Sequence, residues 1–329
     1  MSWNLLGHTW AETLLQKHIA NHETRHAYLF TGAPGIGRRS LALAFASALN
    51  CTQPPESAGY CGSCRACRLT AAMQHPDLAI LSPQNDSRMI KVDQVRELQH
   101  TLSLTPYEAR YRVALLLNFQ LANANAQNAL LKTLEEAPEK VVLLLTADSA
   151  ESLLPTIASR CEILRLRPVS VEQLEEALVT RWNLAPENAR LYAHIANGRP
   201  GLALQMAADP QLLDKRKTWL DELLRLLPLD RRGRIAAAEP LCRNRDQLRL
   251  TLEVWLSFWR DLLMIAHGMD NKVTSVDYLA DLRRIADGIA QPQALGVVNR
   301  LIRALDELEA NANLRLLLEN VLFDFPRIN

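Results

Sequence analysis

Four cysteines crowd into a short stretch: Cys51, then nine residues, then Cys61, Cys64 and Cys67 in two overlapping Cys-x-x-Cys units. Four thiolates are enough for a closed tetrahedral zinc site, which leaves no open position for catalysis, so a zinc here is structural. Pro54, Pro55 and Gly59 suit a loop that folds back on itself. Arg65 and Arg68 stand beside the set and could offset its negative charge. The same residues also fit an iron–sulfur cluster or four free thiols. Cys161 and Cys242 lie outside the set and read as ordinary buried thiols.

A second stretch has the chemistry of phosphate. The apolar run His26 to Phe30 leads directly into Thr31-Gly32-Ala33-Pro34-Gly35-Ile36-Gly37-Arg38-Arg39-Ser40 and then an alanine-rich helix. Strand, glycine-rich loop and helix is the context in which backbone N–H groups cradle phosphate. An active loop continues with Lys and then Ser or Thr, for the β and γ phosphates and for magnesium. Here those positions hold Arg38 and Arg39, and Ser40 is one residue out of register. Arg38 keeps a positive charge without the compact ammonium, and Arg39 has no oxygen for magnesium. The pattern is a phosphate loop, Gly32, Gly35, Gly37, Arg38, Arg39 and Ser40, that has lost its chemistry; residual nucleotide binding is left open. The third candidate is Arg160, in Ser159-Arg160-Cys161 just before a short apolar run. Its planar fork of donors fits phosphate oxygens; a surface salt bridge is the plainer reading.

The elements that would hold these residues follow from periodicity. Leu78 to Leu81, Tyr111 to Leu117, Val141 to Leu145 and Ile163 to Leu166 are short apolar runs, which with the first strand suit a parallel sheet buried on both faces. Helical spacing is seen at Trp10, Leu14, Leu15 and Ile19, at Val95, Leu98 and Leu102 (with Asp93 as a capping residue), and at Leu130, Leu131 and Leu134 before Pro138. His75 reads as a turn residue. After Pro168 the pattern is wholly helical. Apolar stripes run through Leu220, Leu223, Leu224 and Leu227, through Leu248, Leu252, Trp255, Trp259, Leu262 and Ala266, and through Leu295, Val298, Ile302 and Leu305.

Composition narrows the classes. At 329 residues and 48% hydrophobic, the chain can build two or three cored domains. A net charge of +1 argues against a protein that coats nucleic acid by charge. The apolar-rich stretch Leu248 to His267 carries Arg249, Glu253, Arg260 and Asp261, which is wrong for a membrane span. No basic-then-apolar signal opens the chain, and six cysteines then imply a reducing compartment, so a cytoplasmic location is expected.

The run NALLKTLEEAP, the apolar strand after it and Ser159-Arg160-Cys161 together resemble the AAA+ clamp-loader subunits of bacterial DNA replication, as does a four-cysteine insertion directly after the phosphate-loop helix. The resemblance covers essentially the whole chain. It implies an α/β AAA+ core with a five-stranded parallel sheet over residues 1–167, a zinc module at about 51–67, a three-helix lid over 168–208 and an all-α collar over 209–329. It implies that Leu5-Leu6-Gly7-His8 approaches adenine, and that Arg160 is a finger pointed at ATP on a neighbouring subunit. Where active members carry Asp-Glu after the third strand, this chain has Asn118 and Phe119. Ala147 stands near the usual γ-phosphate sensor, and Gly201 near the lid's sensing arginine. The expected protein is therefore a subunit with neither ATPase nor polymerase activity of its own. Its implied partners are delta and tau/gamma subunits in a hetero-pentamer, with sliding clamp and primed DNA reached through the complex. The competing readings are an ATP-hydrolysing tau/gamma-like subunit or other AAA+ ATPase, a nucleic-acid-binding zinc protein, and an adaptor whose finger is no longer used.

Overall fold

The computed structural model describes every residue except Met1, Ser2, Asn4, Glu56, Ser57, residues 84–88, Asn311 and Asn329. Glu56 and Ser57 of the expected zinc module, and Asn311 of the expected collar, thus lie outside the described residues. The chain divides into two compact units, one of residues 1–174 with 198–202, the other of 175–197 with 203–329.

The first unit contains α1 (Thr9–Ala20), β1 (Ala27–Thr31), α2 (Arg38–Asn50), α3 (Arg65–Ala71), β2 (Leu78–Leu81), α4 (Val92–Leu102), β3 (Arg112–Leu116), α5 (Ala124–Glu135), β4 (Val141–Ala147), α6 (Pro155–Ala158) and β5 (Glu162–Arg165). The five strands are parallel in the order β2-β3-β4-β1-β5. Every residue of β1, β3 and β4 is buried, as an inner strand covered on both faces requires, whereas the edge strands β2 and β5 are partly open. Alternation sorts the side chains. Tyr28, Phe30, Val113, Leu115, Val142 and Leu144 pack with Leu15, Leu41 and Phe45 of α1 and α2. Leu29, Ala114, Leu116, Leu143 and Leu145 pack on the other face with Val95, Leu98, Leu130 and Leu134 of α4 and α5.

A buried carboxylate fixes the connection into β3. Asp77 accepts from the backbone N–H groups of Tyr107 (2.6 Å), Glu108 and Ala109 (both 2.9 Å), and from the Arg112 guanidinium (3.1 Å). Burial pushes the Asp77 pKa up; the three N–H donors and Arg112 outweigh it and hold it below the ordinary value. A depressed folded-state pKa contributes stability that is complete above the unfolded value, about 4, and is lost as pH falls through the lower folded value. Urea midpoints of the wild type are therefore expected to fall on acidification below about pH 4, and Asp77→Asn to start lower with a flatter decline over that window.

The second part of the chain is helical: α7 (Val171–Trp182), α8 (Pro186–Ala196), α9 (Pro200–Ala208), α10 (Gln211–Leu226), α11 (Arg231–Leu241), α12 (Arg245–Ala266), α13 (Leu279–Asp287), α14 (Gln291–Glu309) and α15 (Leu314–Phe323). Within the second unit α12 is central, with Trp255 and Trp259 buried against Phe325 at ring separations of 5.7 and 5.4 Å. Arg234 is buried, with no carboxylate partner among the described residues. It donates instead to the carbonyls of Leu226, Leu227, Leu322, Phe325 and Pro326. Three of these lie at the C-terminal ends of α10 and α15, where the helix dipole is negative and carbonyls lack helical partners.

Four sequence expectations need correction. The buried stripe of α14 is Ala294, Val297, Leu301, Ala304 and Leu308, while Leu295 and Ile302 are exposed. Small alanines at a helix contact let two axes approach closely, so the stripe of largest side chains was the wrong one. Ala266 is exposed at the end of α12. Asp93 does not cap α4: the cap residue is Lys91, whose N–H is taken by the Gln94 side chain (2.9 Å), and Asp93 sits in the first turn. Cys161 and Cys242 are partly rather than fully buried, each packed at the margin of a core.

Candidate functional site

The phosphate-loop residues, Asn118 and Asp148 converge because β1, β4 and β3 are adjacent and parallel, so that their C-terminal ends share one edge of the sheet. Functional groups in open α/β sheets collect at that edge. Here the edge is closed by the chain's own side chains. Arg38, buried at the start of α2, donates to Asp148 Oδ1 (2.6 Å) and to Asn118 Oδ1 (3.1 Å). Its charge is thus spent inside the site rather than held for phosphate. Arg39 and Ser40 are exposed on α2. Phe119 is fully buried in the core, where a carboxylate would have no place. Ala147 is buried at the end of β4.

The loop backbone is engaged too. Gly35 has a φ of +81°, and its carbonyl accepts from the Gly201 N–H at 2.7 Å. A Cβ on Gly35 would meet the Leu202 nitrogen at 2.8 Å, so residues 198–202 close on the loop as only glycine allows. His8 is buried, with Nε2 2.8 Å from the Ile36 carbonyl, so its ring is turned onto the loop. The glycine pattern pointed to the loop and the family resemblance to Asn118 and Phe119; neither pointed to Asp148. The available signal was its position just past the C-terminal end of an inner strand.

Arg160 stands at the opposite edge. β5 runs parallel to β1 with Glu162 opposite Tyr28, so Arg160, two residues before Glu162, lies beyond the N-terminal ends of the strands. The phosphate loop begins past Thr31, three residues and about 10 Å beyond the level of Glu162 at 3.3 Å per residue. The guanidinium is half-exposed, donates from Nη1 to the Thr156 carbonyl (3.0 Å) and pairs through Nη2 with Glu135 (2.7 Å). Sequence reading did not find Glu135 as its partner.

The cysteines do come together. The sulfurs of Cys51, Cys61, Cys64 and Cys67 all lie within 4.8 Å of one another. Cys61 and Cys67 sulfurs are 3.9 Å apart, beyond bonding distance. A tetrahedron of thiolates 2.3 Å from zinc has edges of about 3.8 Å, so the cluster has the size of a four-thiolate metal site. N–H groups point inward at the sulfurs: Cys61 at Cys51 (3.4 Å), Cys64 at Cys61 (3.2 Å) and Cys67 at Cys64 (3.4 Å). Cys51 caps α2 and Cys64 caps α3, so the set is framed by two helix ends. Burial pushes the Cys64 thiol up, but Thr52 and the Cys67 N–H outweigh it and bring it down to about 5. Arg65 is engaged with Glu108 at 3.6 Å. His75, buried in its turn, accepts from the Asp77 N–H at 3.0 Å and is not in the cluster.

Comparison with known proteins fits this picture. Residues 7–170 match the family described as "DNA polymerase III, delta subunit", and residues 210–327 the family described as "DNA polymerase III, delta subunit, C terminal". The chain is 32% identical to DNA polymerase III subunit delta' of Pseudomonas aeruginosa, covering 97% of each chain. It is 28% identical to subunit delta' of Bacillus subtilis, over 94% of this chain and 93% of that one. Subunit tau of Escherichia coli is 32% identical over 60% of this chain and 33% of its own length. No helix among the described residues is long and apolar enough to cross a membrane.

Proposed function

This chain belongs to the delta-prime family of DNA polymerase III subunits, and from that premise we propose that it is the stator of a clamp-loader ring. It joins delta and tau/gamma subunits in a hetero-pentamer in the cytoplasm, and the ring opens a sliding clamp and places it on primed DNA. Residues 1–167 are its AAA+ core, 168–208 its lid and 209–329 its collar. The chain does not turn over ATP; it lends Arg160 in trans to ATP held by the adjacent motor subunit. The four cysteines hold one structural zinc.

The observation that carries the non-hydrolysing role is the Arg38 guanidinium tied to Asp148 and Asn118. Phosphate binding by Arg38 would need both bonds broken. Arg39 has no oxygen for magnesium, Asn118 offers only a neutral, weak ligand, Asp148 is tied to Arg38 and Phe119 cannot act as a base, so magnesium binding and water activation both lack their usual residues. This argues against the tau/gamma-like ATPase reading. Support for action in trans is the placement of Arg160 at the sheet edge away from its own phosphate loop.

The test is hydrolysis of magnesium ATP by the purified chain and by the reconstituted complex with clamp and primed DNA. The chain alone is expected to release phosphate at the rate of buffer, and the complex to turn over. Turnover by the isolated chain that is lost on changing Arg38 would show a working site and end the stator reading.

A further inference from the structure

We infer that Glu135 is the positioning residue for Arg160, and this inference rests on the finger reading above. Arginine is long and flexible, and a half-exposed one samples many rotamers unless something holds it. Here two groups hold it: the Glu135 carboxylate at 2.7 Å from Nη2 and the Thr156 carbonyl at 3.0 Å from Nη1. Of the five N–H groups of a guanidinium, one is given to Thr156 and one faces Glu135. The remaining three have no acceptor among the described residues. The fork is therefore anchored along part of its edge and open along the rest, which is what a group must be to meet phosphate oxygens supplied from outside.

The position of Glu135 argues in the same direction. It is the last residue of α5, followed by Glu136. Acidic side chains at a helix C-terminus oppose the helix dipole. Both partners are substantially exposed, at 36% for Arg160 and 51% for Glu135, and exposed pairs contribute little to stability. A carboxylate that does little for its helix or for the fold, and that holds one arginine in one place, serves that arginine. Glu135 reaches no nucleotide itself; it acts through Arg160.

The experiment is single-turnover ATP hydrolysis by the reconstituted complex carrying Glu135→Ala, Glu135→Gln, Arg160→Ala or the double change Glu135→Ala/Arg160→Ala. With the guanidinium unanchored, Glu135→Ala is expected to slow hydrolysis at the faced site about tenfold with little change in ATP affinity. Glutamine keeps an acceptor oxygen, so Glu135→Gln stays within about twofold of wild type. The double variant matches Arg160→Ala, because there is no longer anything to position. If Arg160→Ala is slow but Glu135→Ala is as fast as wild type, or if the two losses multiply, the positioning role is wrong and the finger stands. If Arg160→Ala is itself as fast as wild type, the finger reading fails and takes this inference with it.

Discussion

Replacing Arg160 by alanine is expected to slow ATP hydrolysis at the site it faces by about 10³–10⁵, the range for an arginine supplied in trans. That is roughly 4–7 kcal/mol of barrier. Loss of the pair with Glu135 costs the folded chain far less, about 0–1 kcal/mol for an exposed ion pair. The two readings of this arginine thus differ by several kcal/mol in where the effect falls. The variant should assemble, melt within a degree or two of wild type by the stability arithmetic for small losses, and fail at chemistry. Single-turnover hydrolysis and a melting curve on the same preparation distinguish the cases. Hydrolysis at the wild-type rate would leave Arg160 as a surface pair and the chain as a scaffold. Loss of assembly would make it an interface residue whose job is contact.

The second large effect is on the cysteine module. Protein purified without added metal is expected to contain about one zinc per chain, because four thiolates at tetrahedral spacing bind zinc with a folding-linked free energy of about 10–16 kcal/mol in small peptides. Here the sheet core folds around its own apolar faces, so metal loss should be felt locally, over residues 51–67. It should reach the amino-terminal segment as well: Tyr60 contacts Trp3 at 6.5 Å between rings, and Trp3 in turn stacks on Phe45 of α2 at 6.2 Å. Trypsin should cut after Arg65 and Arg68 in chelator-treated protein or in Cys64→Ser, and spare both in the loaded wild type. A metal content near zero in folded, reduced protein would remove the zinc assignment.

Most of this molecule could be read in the sequence because its strongest signals are local. The inner strands are unbroken apolar runs, and Cys51, Cys61, Cys64 and Cys67 carry their own spacing. Arg38, Arg39, Asn118 and Phe119 stand at motif positions where each residue has one chemical job, so their departures from the pattern stand out. What escaped was long-range or depended on small residues. Asp148 is separated from Arg38 by 110 residues and Glu135 from Arg160 by 25, and no local period joins such pairs. The α14 stripe was misplaced by one residue because Ala294 and Ala304, which fit the contact, look less hydrophobic than Leu295 and Ile302, which do not. Asp93 is a good capping type two positions too late. Propensity and size are weak guides when the neighbour across the contact is unknown.

The closed edge of the sheet also has an evolutionary consequence. Arg38, Asn118 and Asp148 now satisfy one another, and Phe119 has joined the core. Restoring a glutamate at position 119 would bury a charge at a fully enclosed site, at a cost of several kcal/mol. Restoring a lysine at position 38 alone would give up the two-armed bond to Asp148 and Asn118 with no catalytic return. On the non-hydrolysing reading proposed above, each single step towards a hydrolysing site lowers stability before any activity appears, and domains have little stability to spare. On that reading the loss of activity is a ratchet: easy to enter by successive neutral changes, and held shut by the packing those changes allowed.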